Sequence, residues 1–190
     1  MMDSDFNIES EITADFAEEF SRNLGNAFIV GDGNEKPLGF INDSRLEQIP
    51  TGNASELTFD GIIDLQSALA RGQNPSFMMN RRTAGNARKL KDNQGQYLWQ
   101  PSTQAGEPAS LLGDPVLTSA IDMPDVAAGQ IPIAYGDWRR GYYVTRGTQM
   151  ELVRDANTEI DQGIIRYIGF QRWGGAVVLP DAIKLQVVGV

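Results

Sequence analysis

Residues 75–100, PSFMMNRRTAGNARKLKDNQGQYLWQ, decide how the rest of the chain is read. The apolar run Phe77-Met78-Met79 has the length of a buried strand. Asn80 follows it as a helix N-cap, with a side-chain oxygen able to accept an otherwise orphaned N–H. Residues 81–91 predict a helix carrying five cations: Arg81, Arg82, Arg88, Lys89 and Lys91. The last three stand in the final turn, where the helix dipole favours positive charge. Asp92-Asn93-Gln94-Gly95 is a turn, with Gly95 supplying the positive φ that other residues avoid. Tyr97-Leu98-Trp99 leaves the turn as an aromatic strand. The unit is strand, helix, turn, strand, with its charge displayed and its aromatics inward.

Composition narrows the function classes. A chain of 190 residues fits one good-sized domain or two small ones, and it buries roughly 70% of its unfolded surface, enough for a core without staples. No apolar run approaches the ~20 residues of a membrane span, and the start has no signal-peptide pattern. The absence of cysteine removes disulfides and thiolate metal sites. The absence of histidine removes Ser-His-Asp and Cys-His nucleophile systems and His-ligated zinc or iron. A net charge of −9 argues against general nucleic-acid binding, which depends on neutralising phosphates.

Upstream of the opening stretch, residues 3–24 predict one long amphipathic helix, with Ile8, Ile12, Phe16, Phe20 and Leu24 in a single apolar stripe. Asp3, Asp5, Glu9, Glu11, Asp15, Glu18 and Glu19 all precede the first base, Arg22. They form either a solvated face or a surface that docks on a basic neighbour, such as the 81–91 helix of another copy. Gly25 closes this helix, and Ala27-Phe28-Ile29-Val30 is a strand or a last buried turn. Gly31-Asp32-Gly33-Asn34 reads as a turn, because it lacks the Lys-Ser/Thr of a phosphate loop and the further acids of a calcium loop. Residues 42–56 are polar and irregular. Thr58 caps a second helix over residues 59–71, with Phe59, Ile62, Ile63 and Leu69 on its stripe and Gly72 as its stop.

Downstream, residues 101–110 form a Gly/Pro/Ser/Gln loop, and Val116-Leu117-Thr118 is strand-like. From Ile131 the apolar period becomes two, as in a half-buried strand, through Ile133 and Tyr135. Residues 142–145, 150–154, 164–173 and 182–188 predict further strands. The run 164–170 is apolar on both faces, which predicts a central or sandwiched strand. Residues 155–162 make an exposed hairpin tip. Helices early and strands late predict the α+β class rather than a regularly alternating βαβ sheet.

Carboxylates are the catalytic candidates that remain: Asp32, Asp137, and the trio Glu151, Asp155 and Glu159. A glycosidase-type pair must sit about 5–9.5 Å apart across a cleft, and no local spacing here forces such a pair. Trp99, Trp138 and Trp173 serve as core or interface anchors, and Trp138-Arg139-Arg140 is an aromatic–basic cluster best used as a subunit contact. No catalytic residue, cofactor or metal site is predicted.

Taken in order, these motifs resemble the major capsid proteins of tailed bacteriophages, which have the Hong Kong 97 fold. The resemblance is carried by the acidic helix running into Gly31-Asp32-Gly33, by Phe77–Asn80, by Leu90-Lys91-Asp92-x-x-Gly95-x-Tyr97-Leu98, and by Leu112-Gly113-Asp114-Pro115-Val116. Met123-Pro124, Tyr135-Gly136-Asp137, Arg172-Trp173-Gly174-Gly175 and Leu179-Pro180-Asp181-Ala182 complete it.

The resemblance implies an axial domain of residues 28–140 and 174–190. It also implies a partial peripheral domain of residues 1–27 and 141–173, made of the long spine helix and a long β-hairpin. Family members carry an extended arm and a hairpin loop ahead of the spine helix. Here the helix begins at the N-terminus, which implies a truncated chain or a degenerate gene, with Met1-Met2 fitting an added start codon. Some members crosslink neighbours through a Lys on that loop, an Asn and a catalytic Glu. Gly163 and Phe170 stand at the latter two positions, so no crosslinking is implied.

The implied function is that of a structural, non-enzymatic subunit of a phage or prophage capsid shell, a homo-oligomer self-assembling by non-covalent contacts. Its partners would be copies of itself in capsomer rings. It would enclose phage DNA without sequence-specific binding, engage no membrane, be made in the bacterial host cytoplasm, and reside in the virion capsid. Arg81, Arg82, Arg88, Lys89, Trp138, Arg139, Arg140, Asp155 and Glu159 are the expected subunit-interface residues. Cellular nanocompartments share the fold. A small carboxylate or oxygen-metal enzyme and a monomeric binding module are rivals from other classes. The enzyme predicts a concave acidic pocket; the shell subunit predicts a flattened wedge with a protruding hairpin near residues 155–162 and no deep pocket.

Overall fold

The computed structural model describes residues 8–92, 94–99, 110–118, 120 and 122–190. The expected helix start at residues 3–7 and most of the loop 101–110 lie outside the described residues. In chain order the elements are α1 (Ile8–Val30), β1 (Glu47–Pro50), α2 (Phe59–Ser67), β2 (Ser76–Met79), α3 (Arg81–Arg88), β3 (Ser110–Leu111), β4 (Asp114–Leu117), β5 (Ile133–Gly136), α4 (Trp138–Gly141), β6 (Tyr142–Asp155), β7 (Arg166–Val177) and β8 (Ile183–Val187). Six strands form one sheet in the order β1-β8-β5-β2-β4-β3, and β6 and β7 form a separate antiparallel ribbon.

The opening stretch holds the middle of the larger sheet. β2 runs antiparallel to β5, with Phe77 opposite Tyr135, and parallel to β4, with Phe77 opposite Val116. Alternate residues feed two different cores. Phe77, Met79, Ile133 and Tyr135 cluster with Ile62 and Leu65 of α2, Ala84 and Ala87 of α3, and Trp99. Met78, Ala134, Ile183 and Leu185 cluster instead with Ile29, Phe40, Met123 and Trp138. Both faces of β5 are therefore covered and all four of its residues are buried, which corrects the half-buried expectation. On β8 two polar residues, Lys184 and Gln186, are buried beside the apolar ones; Lys184 Nζ donates to Glu47 Oε2 at 2.5 Å.

Several boundaries differ from the sequence reading, each for a packing reason. α1 does not stop at Gly25: it continues through Phe28 and Ile29, because Ile29 is buried and the Phe28 ring meets Tyr142 and Trp173 at 6.0 and 6.4 Å. The supposedly irregular 42–56 region contains β1, a polar edge strand held parallel to β8. In α2 the Thr58 hydroxyl accepts the Gly61 N–H at 3.1 Å, as expected of the cap, but the helix ends at Ser67. Ile62 and Leu65 are its buried apolar side chains, whereas Ile63 is exposed. α3 ends at Arg88, and Tyr97 forms only a single bridge to Lys91 rather than a strand.

The segments 142–145 and 150–154 belong to one 14-residue strand, β6, whose register with β7 shifts between Arg146 and Glu151. At ~3.3 Å per residue the strand spans about 45 Å. α1 lies on one face of the ribbon. A Cβ at Gly169 would come within 2.8 Å of Phe20 and 2.9 Å of Phe16, so glycine lets the apolar stripe of α1 cross β7 at close range. Among the described residues the other face has no such cover: Val153, Ile168 and Phe170 are exposed, so β7 is not the sandwiched strand that its two-sided apolar pattern predicts.

Candidate subunit-contact surfaces

Asn80 is the residue that positions α3. Its Oδ1 accepts the Thr83 N–H at 2.7 Å, while its Nδ2 donates to Met123 O and Asp125 Oδ1, both at 2.8 Å. One side chain thus caps the helix and ties it to the segment after β4. Arg82 reaches the same Asp125 at 2.9 Å; that guanidinium, joined by Asn80, holds the Asp125 carboxyl below its usual range. Arg88 stacks over the buried Trp99 at 5.0 Å, and Lys91 over Tyr97 at 4.8 Å. Arg81, Arg82 and Lys89 remain exposed, and an open hollow of about 560 Å³ lies along Asn80, Arg81, Arg82, Met123 and Asp125.

The Trp138-Arg139-Arg140 cluster divides by role. Trp138 is half-buried: its ring lies 5.0 Å from Phe40 and its Nε1 donates to Ser76 O at 3.2 Å. Arg139 and Arg140 are exposed on α4, above the buried Asp137, which accepts the Gln73 N–H at 3.1 Å. An apolar groove of about 390 Å³ runs past Phe28, Phe40, Met78, Leu117, Trp138 and Tyr142. Burial there pushes the Tyr142 hydroxyl up to about 12, and it donates to Leu38 O at 2.8 Å.

At the hairpin tip the two expected acids fasten the chain to itself. Asp155 accepts the Thr158 hydroxyl and the N–H groups of Asn157 and Thr158, which hold its carboxyl below the usual range. Glu159 pairs with Arg166. What the sequence reading missed is the apolar surface beside them, on the ribbon face away from α1: Val153 (47% exposed), Ile168 (40%) and Phe170 (56%), with Ile164 and Ile165 nearby in the chain. The signal is the two-sided apolar run 164–170, which by itself fits burial within a core or against another molecule equally well.

The remaining candidate acids, Asp32 and Glu151, are both exposed. Asp32 accepts the Asn34 N–H at 3.0 Å and pairs with Lys36 at 3.4 Å, closing its turn, and Glu151 stands opposite Phe170 on the ribbon. Among the described residues no group of three His, Cys, Asp or Glu side chains is placed to hold a metal ion, and no helix is long and apolar enough to cross a membrane.

Comparison with known proteins bears on these surfaces. The family model described as the phage capsid family matches residues 1–188. The capsid of an empty GTA particle is 37% identical, with a TM-score of 0.88; the match covers 100% of this chain and 69% of that one. The Gordonia phage Cozz structure is 15% identical, with a TM-score of 0.69 and coverage of 96% and 64%. The holo-SrpI encapsulin complex from Synechococcus elongatus is 14% identical, with a TM-score of 0.68 and coverage of 99% and 68%. The last two likenesses are of fold alone. No curated protein sequence matches the chain.

Proposed function

The chain belongs to the phage capsid family, and on that premise we propose that it is a structural subunit of a phage-type capsid shell, built to contact copies of itself. The observation that carries this reading is the whole-chain likeness to a capsid protein, at 37% identity and a TM-score of 0.88. The physical surface agrees with it. The ribbon's outer face leaves Val153, Ile168 and Phe170 in water, an arrangement that favours an apolar partner. The six-stranded sheet corresponds in this reading to the axial domain, and α1 with the ribbon to the peripheral one.

The finer assignments follow from the same premise. The subunit works by packing rather than catalysis, its shell encloses DNA without reading sequence, and its site is the virion capsid. Copies are held non-covalently, because neither Gly163 nor Phe170 offers an amide or a carboxylate side chain for crosslinking. Of the expected interface residues, Arg81, Lys89, Arg139 and Arg140 are offered to partners, as is the exposed Arg82, already paired with Asp125. Arg88 is engaged with Trp99, Trp138 with the core, and Asp155 and Glu159 with the hairpin tip.

Negative-stain microscopy and a denaturing gel of the same preparation test the reading. Rings or shells that dissolve to a single monomer band are expected. A covalent ladder would refute the non-covalent assignment, and failure to form any particle would refute the shell role.

A further inference from the structure

Two exposed helix faces share one pattern with opposite charge. On α1, Glu11, Ala14, Asp15 and Glu18 stand at i, i+3, i+4 and i+7, and all four are exposed. On α3 and its C-cap residue Lys89, Arg82, Gly85, Asn86 and Lys89 stand at the same spacing; Arg82, Asn86 and Lys89 are exposed. Residues so spaced share one side of a helix. At a rise of 1.5 Å per residue, the end charges of each face lie about 10.5 Å apart, so acid and base match in both sign and span.

Gly85 is the second observation. A glycine inside an eight-residue helix weakens that helix, so a reason should be sought in what approaches it. Among the described residues there is none: a Cβ at Gly85 would meet no atom within 4 Å. Its φ is not positive, so backbone geometry does not require glycine either. An absent side chain on an exposed helix permits close approach from outside. Ala14, the equivalent small residue on α1, faces outward in the same way.

We propose that the Glu11–Ala14–Asp15–Glu18 face of one copy packs against the Arg82–Gly85–Asn86–Lys89 face of the next, the helices crossing at Ala14 and Gly85. This rests on the shell-subunit reading and names one of its contacts. Antiparallel helices bring Glu11 to Lys89, neither of which has an ion-pair partner among the described residues. They also bring the Glu18–Arg22 pair to the Arg82–Asp125 pair, so the four charges alternate in one network. Because different surfaces meet, the contact is heterologous and propagates into a ring or an open array rather than closing as a two-fold dimer. Nucleic acid would also be drawn to the cations of α3, but phosphate contacts do not call for a glycine between them.

The chain has no cysteine, so Ala14→Cys together with Gly85→Cys gives an unambiguous crosslink. Mild oxidation is expected to yield a ladder of oligomers on a non-reducing gel, collapsing on reduction, and a monomer band alone overturns the contact. Glu11→Lys/Glu18→Lys and Arg82→Glu/Lys89→Glu are each expected to lose association by light scattering while keeping a folded circular-dichroism spectrum. An equimolar mixture of the two is expected to regain it; a mixture that stays monomeric overturns the proposal.

Gly85→Leu is expected to raise the melting temperature and weaken association at least tenfold. If the Arg82→Glu/Lys89→Glu chain associates normally but loses bound DNA, α3 is a nucleic-acid face and the proposal fails. Particles without the ladder would overturn this contact alone; absence of particles from the unaltered chain would overturn the shell reading itself.

Discussion

Gly169 shows how much one missing atom decides. Its place under Phe16 and Phe20 lets α1 lie against the ribbon, and Gly169→Val forces a branched side chain into a gap narrower than 3 Å. Overpacking of this kind costs about 1–3 kcal/mol, so a melting temperature several degrees lower is expected in thermal unfolding. Asn80→Ala removes a cap and the Nδ2 hydrogen bonds to Met123 O, Pro124 O and Asp125 Oδ1 at once. A cap alone contributes about 0.5–2 kcal/mol, and chemical denaturation should place this variant at or above the top of that range.

Asp43 supplies a pH-dependent prediction. It is buried, and Arg45 binds it at 2.6 Å while donating to Val177 O at 2.8 Å. The Arg45 guanidinium holds the Asp43 carboxyl below its ordinary range. A depressed carboxyl contributes stability above the ordinary carboxylate range and loses it as pH falls through the folded-state value. Asp43→Asn should therefore cost about 1–2 kcal/mol near neutrality. The gap in melting temperature between variant and parent should close on acidification; a gap that stays constant down to pH 2 would count against the ion pair.

At the scale of elements, the exposed ribbon face makes a separable claim. Phe170→Ser alters a residue already 56% exposed and puts no second carboxylate opposite Glu151, so folding stability should change by no more than about 0.5 kcal/mol. Association by light scattering should fall sharply, and equal loss of both would mean that Phe170 belongs to a core. The same face marks where sequence reading stopped. Apolar residues on both sides of residues 164–170 say that both sides want cover, but not whether the cover is the chain's own core or another molecule.

Local chemistry is legible in the sequence: Thr58 and Asn80 cap their helices as their side chains dictate, and Asn157, Thr158, Asp161 and Gln162 of the hairpin tip are exposed. Tertiary contact that overrides local signals is not. β1 is too polar to look like a strand, and it exists because β8 offers it a parallel edge. Gly25 reads as a helix stop, yet α1 continues because its last turns are anchored by Phe28 and Ile29. The cations of residues 81–91 are visible in the sequence as charge, but the stacking of Arg88 on Trp99 requires two segments to be brought together.

For the whole molecule, the layers divide the labour. Among the described residues the larger sheet is closed on both faces by its two cores, whereas the ribbon is covered on one face by α1 and bare on the other. A chain whose rigid body is self-sufficient and whose long ribbon is not is suited to building by repetition. Its net charge of −9 opposes indiscriminate clumping, so association must be directed by specific surfaces. The most direct test is the mass of the purified chain across a concentration series, by light scattering after size exclusion. The account predicts a mass rising with concentration toward ring- or shell-sized assemblies. A monomer mass that holds constant up to the solubility limit would contradict it.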